Sequence, residues 1–278
     1  MKFNSDIFQA IRFAELFTKC DYTDDADALI KQMEIVKDLG IYMSQDMTFD
    51  SHIRTVANKG KQLAGWILRT FHTRSPTVML TLLKQLIYPT TEYNSVLWSP
   101  TSEELIKVIE SVQKNFIKKI STDKLPNDSD YRALLQHFKL YSLQRRRERY
   151  AIIYIWKVVH GLYPNPGLDM PNPNNTNNQT RSIQVNVHQR SDITVHYNTH
   201  PPKWLNNCSV LERCCALYNH LPLRLRTLVA PDKEPSIDDF KKELDKWLEN
   251  IPDEPTVSGR GRRGKTNSII DQLPYSRN

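Results

Sequence analysis

The sequence predicts a mainly helical α+β protein, in which a small β region precedes a series of helices. Alternating apolar and polar residues, typical of strands, occur near the N-terminus and again in two short stretches after residue 181. From Asp50 onward, apolar residues instead recur every three or four positions, as in amphipathic helices. The 278 residues are 39% hydrophobic and 25% charged, which is an ordinary globular composition for about two domains.

Residues 1–47 hold the predicted N-terminal strands. "FNSDIFQAIRF" alternates in the manner of a largely buried strand, and "VKDLGIYM" is predicted as a second strand, followed by a turn. Between them lies Tyr22-Thr23-Asp24-Asp25, a Y-x-D-D sequence that matches the metal-binding motif of reverse transcriptases. Such a pair needs rigid flanking strands and a further carboxylate. The flanks here are polar and acidic, so a solvated turn is the favoured interpretation.

Residues 48–162 are predicted to form a helical domain. The first helix begins near Asp50 or Ser51, and Ser75-Pro76 opens the next, which Pro89 kinks or restarts. Residues 131–160 are predicted as two helices divided near Tyr141-Ser142, and Gly161 ends the second.

The remaining residues divide into three predicted segments. Residues 163–180 form a Pro/Asn-rich linker, and residues 181–253 form a region with a hairpin ("SIQVNV", "DITVHY") and helices. One of these helices begins at Ser236, which has the residue type of an N-cap. Residues 254–278 are predicted as a basic disordered tail with a possible contact at "NSIIDQL".

The charge of the chain favours anionic partners. The net charge is +7, of which residues 255–278 contribute +4. No apolar run approaches the roughly 20 residues of a membrane span, and the first residues lack the layout of a signal peptide. We therefore expect an intracellular protein, in the nucleus or the cytoplasm, with no membrane partner. The sequence "GRGRRGK" suits nuclear entry and a solvated tail equally.

The cysteines raise the alternative of a zinc site. Cys208, Cys214 and Cys215 cluster near two histidines, but their spacing matches no common zinc motif. Free cysteine is usually a small buried hydrophobe, and this interpretation is favoured. No phosphate-binding loop or hydrolase motif occurs in the sequence.

Two groups of basic residues are candidates for contact with nucleic acid. Lys61 and Arg69 share a helix face with Gly65, and Arg54 lies nearby; long cations beside a small residue suit approach to a phosphate backbone. The second group lies within one and a half helical turns and consists of Arg145, Arg146, Arg147 and Arg149. The alternative for both groups is a solvated charged face, or pairing with a carboxylate such as Glu148.

The order of several motifs resembles the C-terminal third of reverse transcriptases from non-long-terminal-repeat retrotransposons of the jockey kind. The motifs are "FNSDIF", "VKDLGIYMSQDMTFDSHI", "IYPTTEYNSVLWSP", "VIESVQKNF", "KLYSLQRRRERY", "LYNHLP" and "FKKELDKWL". The resemblance extends to the final "NSIIDQLP", and "KDLG" followed by P-x-x-E-Y-x-x-x-x-W-S-P is its most specific part. Two departures are Ile7, where relatives usually have Lys, and Tyr218, where they often have Trp.

The resemblance implies a role for each segment. Residues 1–47 would be a palm edge with a primer-grip-like turn at Lys37, Asp38, Leu39 and Gly40. Residues 48–162 would be a thumb-like domain, and residues 181–253 a post-thumb region. In that family the catalytic Y-x-D-D lies upstream of the "F-N" strand, so we expect Asp24-Asp25 to be a look-alike. We expect no catalytic or metal-binding residue and no cofactor in this chain, and Mg²⁺ only in the complete parent enzyme.

Three functional interpretations remain open from the sequence. The first is a C-terminal fragment of an RNA-directed DNA polymerase that retains parts for binding RNA or an RNA–DNA duplex and is inactive alone. The alternatives are a helical protein-interaction module and a non-functional relic of the element. Exposed apolar surface left by a missing palm would make such a relic prone to aggregate.

Overall fold

The computed structural model describes nine parts of the chain: residues 9–13, 21–23, 29–120, 130–166, 168–169, 196–197, 210–226, 236–255 and 266–273. These parts are mainly helical with a few short strands, which confirms the predicted fold class. The strands are β1 (Gln9–Ala10), β2 (Lys31–Gln32), β3 (Ile35–Asp38), β4 (Ile41–Ser44), β5 (Leu168–Asp169) and β6 (His196–Tyr197). The helices are α1 (Asp50–Thr70), α2 (Pro76–Leu82), α3 (Tyr88–Glu92), α4 (Ser95–Trp98), α5 (Glu103–Ile120), α6 (Tyr131–Phe138), α7 (Leu143–Val159), α8 (Val210–Asn219), α9 (Leu223–Arg226), α10 (Ile237–Glu249) and α11 (Ile269–Gln272).

The N-terminal strands form two small sheets. β1 pairs with β2 in parallel, and β3 pairs with β4 in antiparallel register. The prediction of one strand over "VKDLGIYM" is therefore wrong, because the chain reverses at Leu39-Gly40. Both residues have positive φ, 44° and 86°, which is the conformation of a two-residue hairpin turn. The described part of the first predicted strand is more exposed than expected, since Gln9 and Phe13 both face solvent.

Helix α1 is the central element of the N-terminal half. Its buried face, which includes Ile53, Ala57, Ala64 and Ile67, packs against α5. Gly60 lies at the closest approach, where a Cβ would stand 2.8 Å from Thr91 Cγ2 and 2.9 Å from Val112 Cγ1. The opposite face of α1 is exposed to solvent.

A π-helical turn, Leu83–Ile87, joins α2 to α3. Pro89 follows directly; it has no N–H to donate, and its ring crowds the carbonyl one turn earlier. Widening the preceding turn accommodates the proline without ending the helix. The predicted kink or restart at Pro89 is therefore realised as a π-helical turn that positions Glu92 and Tyr93.

Two hydrophobic clusters form the core. The first comprises residues of α1, α2, α3, α5 and α6 and extends to Leu143 at the start of α7. The second begins at Ala151 and includes residues of α8, α9, α10 and α11. Helix α7 thus contributes to both clusters. Most of the predicted linker, residues 163–180, lies outside the described residues. Gly161, with φ of 71°, ends this helix region as predicted.

The C-terminal part adds the remaining helices. Ser236 Oγ accepts a hydrogen bond from the Asp239 amide at 3.3 Å, which confirms the predicted N-cap of α10. Residues 266–273 pack on the second cluster through buried Ile269, so the expected contact at "NSIIDQL" is present. Of the predicted hairpin, the structure describes β6, which pairs with β5, while "SIQVNV" lies outside the described residues. Within the described ranges, no helix combines the length and apolar character needed to cross a bilayer.

Candidate nucleic-acid interface

One exposed face of α1 carries three of the predicted contacts to nucleic acid. Four residues of α1 share one side of the helix because they are spaced by seven, four and four positions: Arg54, Lys61, Gly65 and Arg69. The three cations are exposed, and Gly65 is half-buried. At 1.5 Å per residue, this stripe extends about 22 Å along the helix axis. We call these four residues the basic stripe.

The charge of α1 is strongly unbalanced. The helix contains one carboxylate, Asp50, and four basic residues, Arg54, Lys59, Lys61 and Arg69. Arg54 is bonded to Glu104 at 2.5 Å, but both side chains are well exposed, and such surface pairs contribute little to stability. Among the residues that the structure describes, neither Lys61 nor Arg69 forms an ion pair. These two cations are therefore available to a phosphate backbone.

Gly65 has no side chain, so the middle of the basic stripe does not project from the surface of the helix. A Cβ at this position would find one neighbour within 4 Å, Arg69 Nη1 at 3.8 Å. Trp66 stands beside the stripe with 49% of its surface exposed, and its ring meets Phe71 edge-on at 6.4 Å. Trp66 was not predicted as a site residue, although the sequence contains a signal for it: Trp66 is a large aromatic residue off the buried face of an amphipathic helix. An exposed ring beside cations suits both stacking and groove contacts of nucleic acid.

The primer-grip-like residues form the turn of the β3–β4 hairpin. Leu39 stands at the tip with 82% of its surface exposed, and Lys37 Nζ lies 5.4 Å from the centre of the Tyr42 ring. Two contacts hold the hairpin against the helices. The Tyr93 hydroxyl donates to the Leu39 carbonyl at 3.2 Å, and the Tyr42 amide donates to His52 Nδ1 of α1 at 3.4 Å. The structure thus anchors Lys37, Asp38, Leu39 and Gly40 as an exposed turn beside α1.

Arg145 and Arg147 do not lie at an interface. Both are fully buried: Arg145 Nη2 donates to the Pro252 carbonyl at 2.7 Å, and Arg147 Nε donates to Ser99 Oγ at 3.3 Å. Burial lowers the pKa of Arg147, although the charges of Glu110 and Glu148 oppose that shift. A buried guanidinium cannot reach a phosphate, so the prediction that these two arginines bind nucleic acid is corrected.

Arg146 and Arg149 are engaged in bidentate ion pairs. Arg146 binds both oxygens of Glu92 and lies 3.9 Å from the centre of the Tyr88 ring. Burial opposes the charge of Arg146, but the bond to Glu92 outweighs it and raises the pKa of Arg146. Arg149 binds Asp245 of α10 at 2.5 and 2.8 Å. The four arginines therefore tie α7 to other segments of the chain. Arg146 and Arg149 fit the predicted pairing with a carboxylate. The bonds described above join Arg145 and Arg147 to uncharged oxygens.

Two buried carboxylates complete this interior network. Glu110 accepts from the Tyr131 hydroxyl at 2.7 Å and from the Gln144 amide at 2.6 Å. Glu148 accepts from the Ile269 amide at 2.9 Å. Burial raises the pKa of both carboxyl groups. Apolar periodicity does not reveal such residues, because they lie on core-facing positions where a hydrophobic side chain is expected.

The Y-x-D-D and cysteine hypotheses involve residues that are only partly described. Thr23 forms an isolated antiparallel bridge with Leu29, while Asp24 and Asp25 lie outside the described residues. Cys214 and Cys215 are buried in α8, and burial raises their pKa to about 11 and about 12. Cys208 lies outside the described residues. Within the described part of the chain, no group of three His, Cys, Asp or Glu side chains is arranged to hold a metal ion.

Comparison with known proteins gives one weak similarity. No known protein family matches the chain, and no solved structure matches it. The chain is 24% identical over 127 residues to an uncharacterized Caenorhabditis elegans protein, B0403.1. The matched region covers 46% of this chain and 62% of that protein, so the chain spans less than two thirds of its relative's length. That relative is itself uncharacterized, so the similarity assigns no function.

Proposed function

We propose that this chain is the nucleic-acid-holding part of a reverse transcriptase of the retrotransposon type, and that it binds RNA or RNA–DNA duplex. The observation that carries the proposal is the basic stripe of α1. Its cations lie on one exposed face with no carboxylate of α1 between them, and Gly65 leaves space for close approach. Phosphate neutralisation by such residues supplies most of the affinity of non-specific nucleic-acid binding.

The β3–β4 hairpin supports the same proposal. Its turn is the segment that resembles a primer grip, and Leu39 at the tip is exposed rather than packed. A rigid turn beside a basic helix is suited to hold the end of a nucleic-acid strand in a fixed position. The arginines of α7 have no part in this proposal, because they are buried or paired.

The experiment is duplex binding by two matched double variants. We expect Lys61→Ala/Arg69→Ala to weaken binding of a labelled RNA–DNA duplex about tenfold at low salt, since two phosphate contacts are removed. The control is Lys242→Ala/Lys246→Ala, which removes two cations from exposed positions of α10. Equal affinities of the two double variants would refute the proposal.

A second measurement tests for polymerase activity. We expect the 278 residues to give no primer extension with Mg²⁺, because Asp24-Asp25 lies in a polar, acidic stretch that follows the "F-N" strand, unlike the catalytic pair of the family. Extension that is lost on Asp24→Ala would overturn this expectation.

A protein-interaction module is the second candidate. Val78 and Leu86, eight residues apart on the α2–α3 segment, are both exposed and apolar, as a partner helix would require. A protein partner that resists nuclease treatment and is lost in Val78→Asp would favour this candidate over nucleic-acid binding.

A further inference from the structure

A groove lined by tyrosines lies between the α3–α4 segment, α7 and the residues that follow α7. Its volume is about 820 Å³, and five of the residues that line it are tyrosines: Tyr88, Tyr93, Tyr150, Tyr154 and Tyr163. Sites of this size accommodate a drug-sized ligand, which is also the size of a nucleotide. These residues belong to neither the basic stripe nor the hairpin tip, although Tyr93 also contacts the hairpin turn.

The rim of the groove presents aromatic rings to solvent. Tyr93 is 57% exposed and Tyr163 is 43% exposed. Tyr163 is held in place by Lys157, whose Nζ donates to the Tyr163 hydroxyl at 2.9 Å and lies 4.4 Å from the ring centre. The Tyr154 ring lies 6.2 Å from the Tyr163 ring. A ring that is already fixed loses little freedom when a flat ligand stacks on it.

The floor of the groove is rigid and its own charges are compensated. Arg146 binds Glu92 and covers the Tyr88 ring, while the Tyr150 hydroxyl donates to Glu92 at 3.0 Å. Glu92 is the one carboxylate among the described residues that line the groove, and Arg146 already neutralises it. The walls therefore have no free negative charge to repel an anion.

Two further cations stand at the edge of the groove. Lys84 is exposed, and Lys157 is half-buried against Tyr163. Within the described part of the chain, neither lysine is paired with a carboxylate. Exposed tyrosine rings, combined with cations that no carboxylate neutralises, are the two components of single-strand binding sites, in which bases stack and phosphates are neutralised. A proline-rich peptide would use the rings but would have no use for the cations.

The groove is continuous with the hairpin. Tyr93 lines the groove, and its hydroxyl also holds the Leu39 carbonyl in the turn. A nucleic-acid strand that passes the hairpin tip would therefore reach the rim of the groove next. From these observations we propose that the tyrosine groove binds single-stranded nucleic acid, with a base stacked on Tyr163 and phosphates near Lys84 and Lys157. This inference rests on the proposed function, since it gives the same ligand a second, single-stranded site.

The test compares single strands with duplex on the full chain by fluorescence polarisation. We expect labelled oligouridine to bind the wild type, and Tyr163→Ala to weaken this binding about tenfold, which is the effect of losing one stacked base. Tyr163→Phe keeps the ring and should retain most of the affinity. Tyr22→Ala, which removes an exposed tyrosine outside the groove, is the matched control and should bind like the wild type. Circular dichroism of each variant verifies folding.

The outcomes separate this inference from the proposed function. If Tyr163→Ala binds oligouridine as the wild type does, while Lys61→Ala/Arg69→Ala still loses duplex affinity, the groove inference is overturned and the proposed function stands. If oligouridine binding depends on Tyr163 but duplex binding does not depend on the basic stripe, the groove inference is supported. The proposed role of the basic stripe is then overturned. A proline-rich peptide that binds through Tyr163 when oligouridine does not bind would overturn the inference in favour of a protein partner.

Discussion

Two glycines of α1 provide a matched test of how this helix is packed. Gly60 faces α3 and α5, and Gly65 faces solvent beside Arg69. Replacing either glycine by alanine raises helix propensity by about 1 kcal/mol. At Gly60, however, the new Cβ would stand 2.8 Å from Thr91 Cγ2 and 2.9 Å from Val112 Cγ1. Both neighbours are β-branched residues on helices and have stiff side chains, so they cannot rotate away easily.

Overpacking of this kind costs roughly 1–3 kcal/mol. We therefore expect Gly60→Ala to lower the free energy of unfolding by about 1 kcal/mol after the propensity gain is subtracted. We expect Gly65→Ala to raise it by about 1 kcal/mol, because its Cβ meets a single flexible guanidinium.

The assay is urea denaturation followed by tryptophan fluorescence, with the midpoint and slope fitted for each variant. The reasoning would be refuted if both variants were stabilised equally, since α1 would then not approach α3 and α5 as closely as described.

Three further predictions concern the polar contacts. Asn267→Ala removes a bond to the charged Asp253 carboxylate and a backbone bond at 2.6 Å, so we expect a loss of about 2–4 kcal/mol in urea unfolding. Its matched control, Asn250→Ala, removes a single exposed hydrogen bond to an uncharged carbonyl and should cost about 1 kcal/mol or less. A double-mutant cycle on Arg149 and Asp245 should give a coupling energy of about 1 kcal/mol, because the pair is bidentate but partly exposed. Burial, followed by the charge of Lys59, lowers the pKa of His52, so the folded state binds a proton at His52 less readily than the unfolded state does. The unfolded state then binds the extra proton, and stability should fall as the pH drops below about 6.5, by at most about 1.4 kcal/mol per pH unit.

Each of these predictions has a result that contradicts it. Equal stabilities of Asn267→Ala and Asn250→Ala would mean that the C-terminal segment is not packed as described. Additive effects of Arg149→Ala and Asp245→Ala would show that the pair contributes nothing. An unchanged pH profile in His52→Gln would assign the acid sensitivity to other groups.

Periodicity predicted most of the helices well. The division between α6 and α7, the N-cap at Ser236 and the end of α7 at Gly161 all follow from local rules and are confirmed. Alternation alone missed the β3–β4 hairpin, because "VKDLGIYM" is compatible with a single strand, whereas the family resemblance implied a turn at Lys37, Asp38, Leu39 and Gly40. The two strands are separated by a turn in which Leu39 and Gly40 both have positive φ angles. A positive φ at a leucine is not predicted by the alternation of apolar and polar residues.

The arginines of α7 show where sequence reasoning fails for sites. Four basic residues in one turn and a half looked like a phosphate-binding patch. Their partners are Pro252, Ser99, Glu92 and Asp245, which are distant in sequence and come together only in the folded chain. Charge composition alone therefore cannot distinguish a binding surface from an interior network. The basic stripe was predictable because exposure follows directly from helical spacing.

The most direct test of the central claim is the salt dependence of duplex binding. If the basic stripe contacts phosphates, the logarithm of the binding constant falls linearly with the logarithm of the salt concentration. The account predicts a slope for Lys61→Ala/Arg69→Ala that is shallower by about 1–2 than that of the wild type, since each lost phosphate contact removes about 0.9. An identical slope in the wild type and this double variant would contradict the claim that α1 holds nucleic acid.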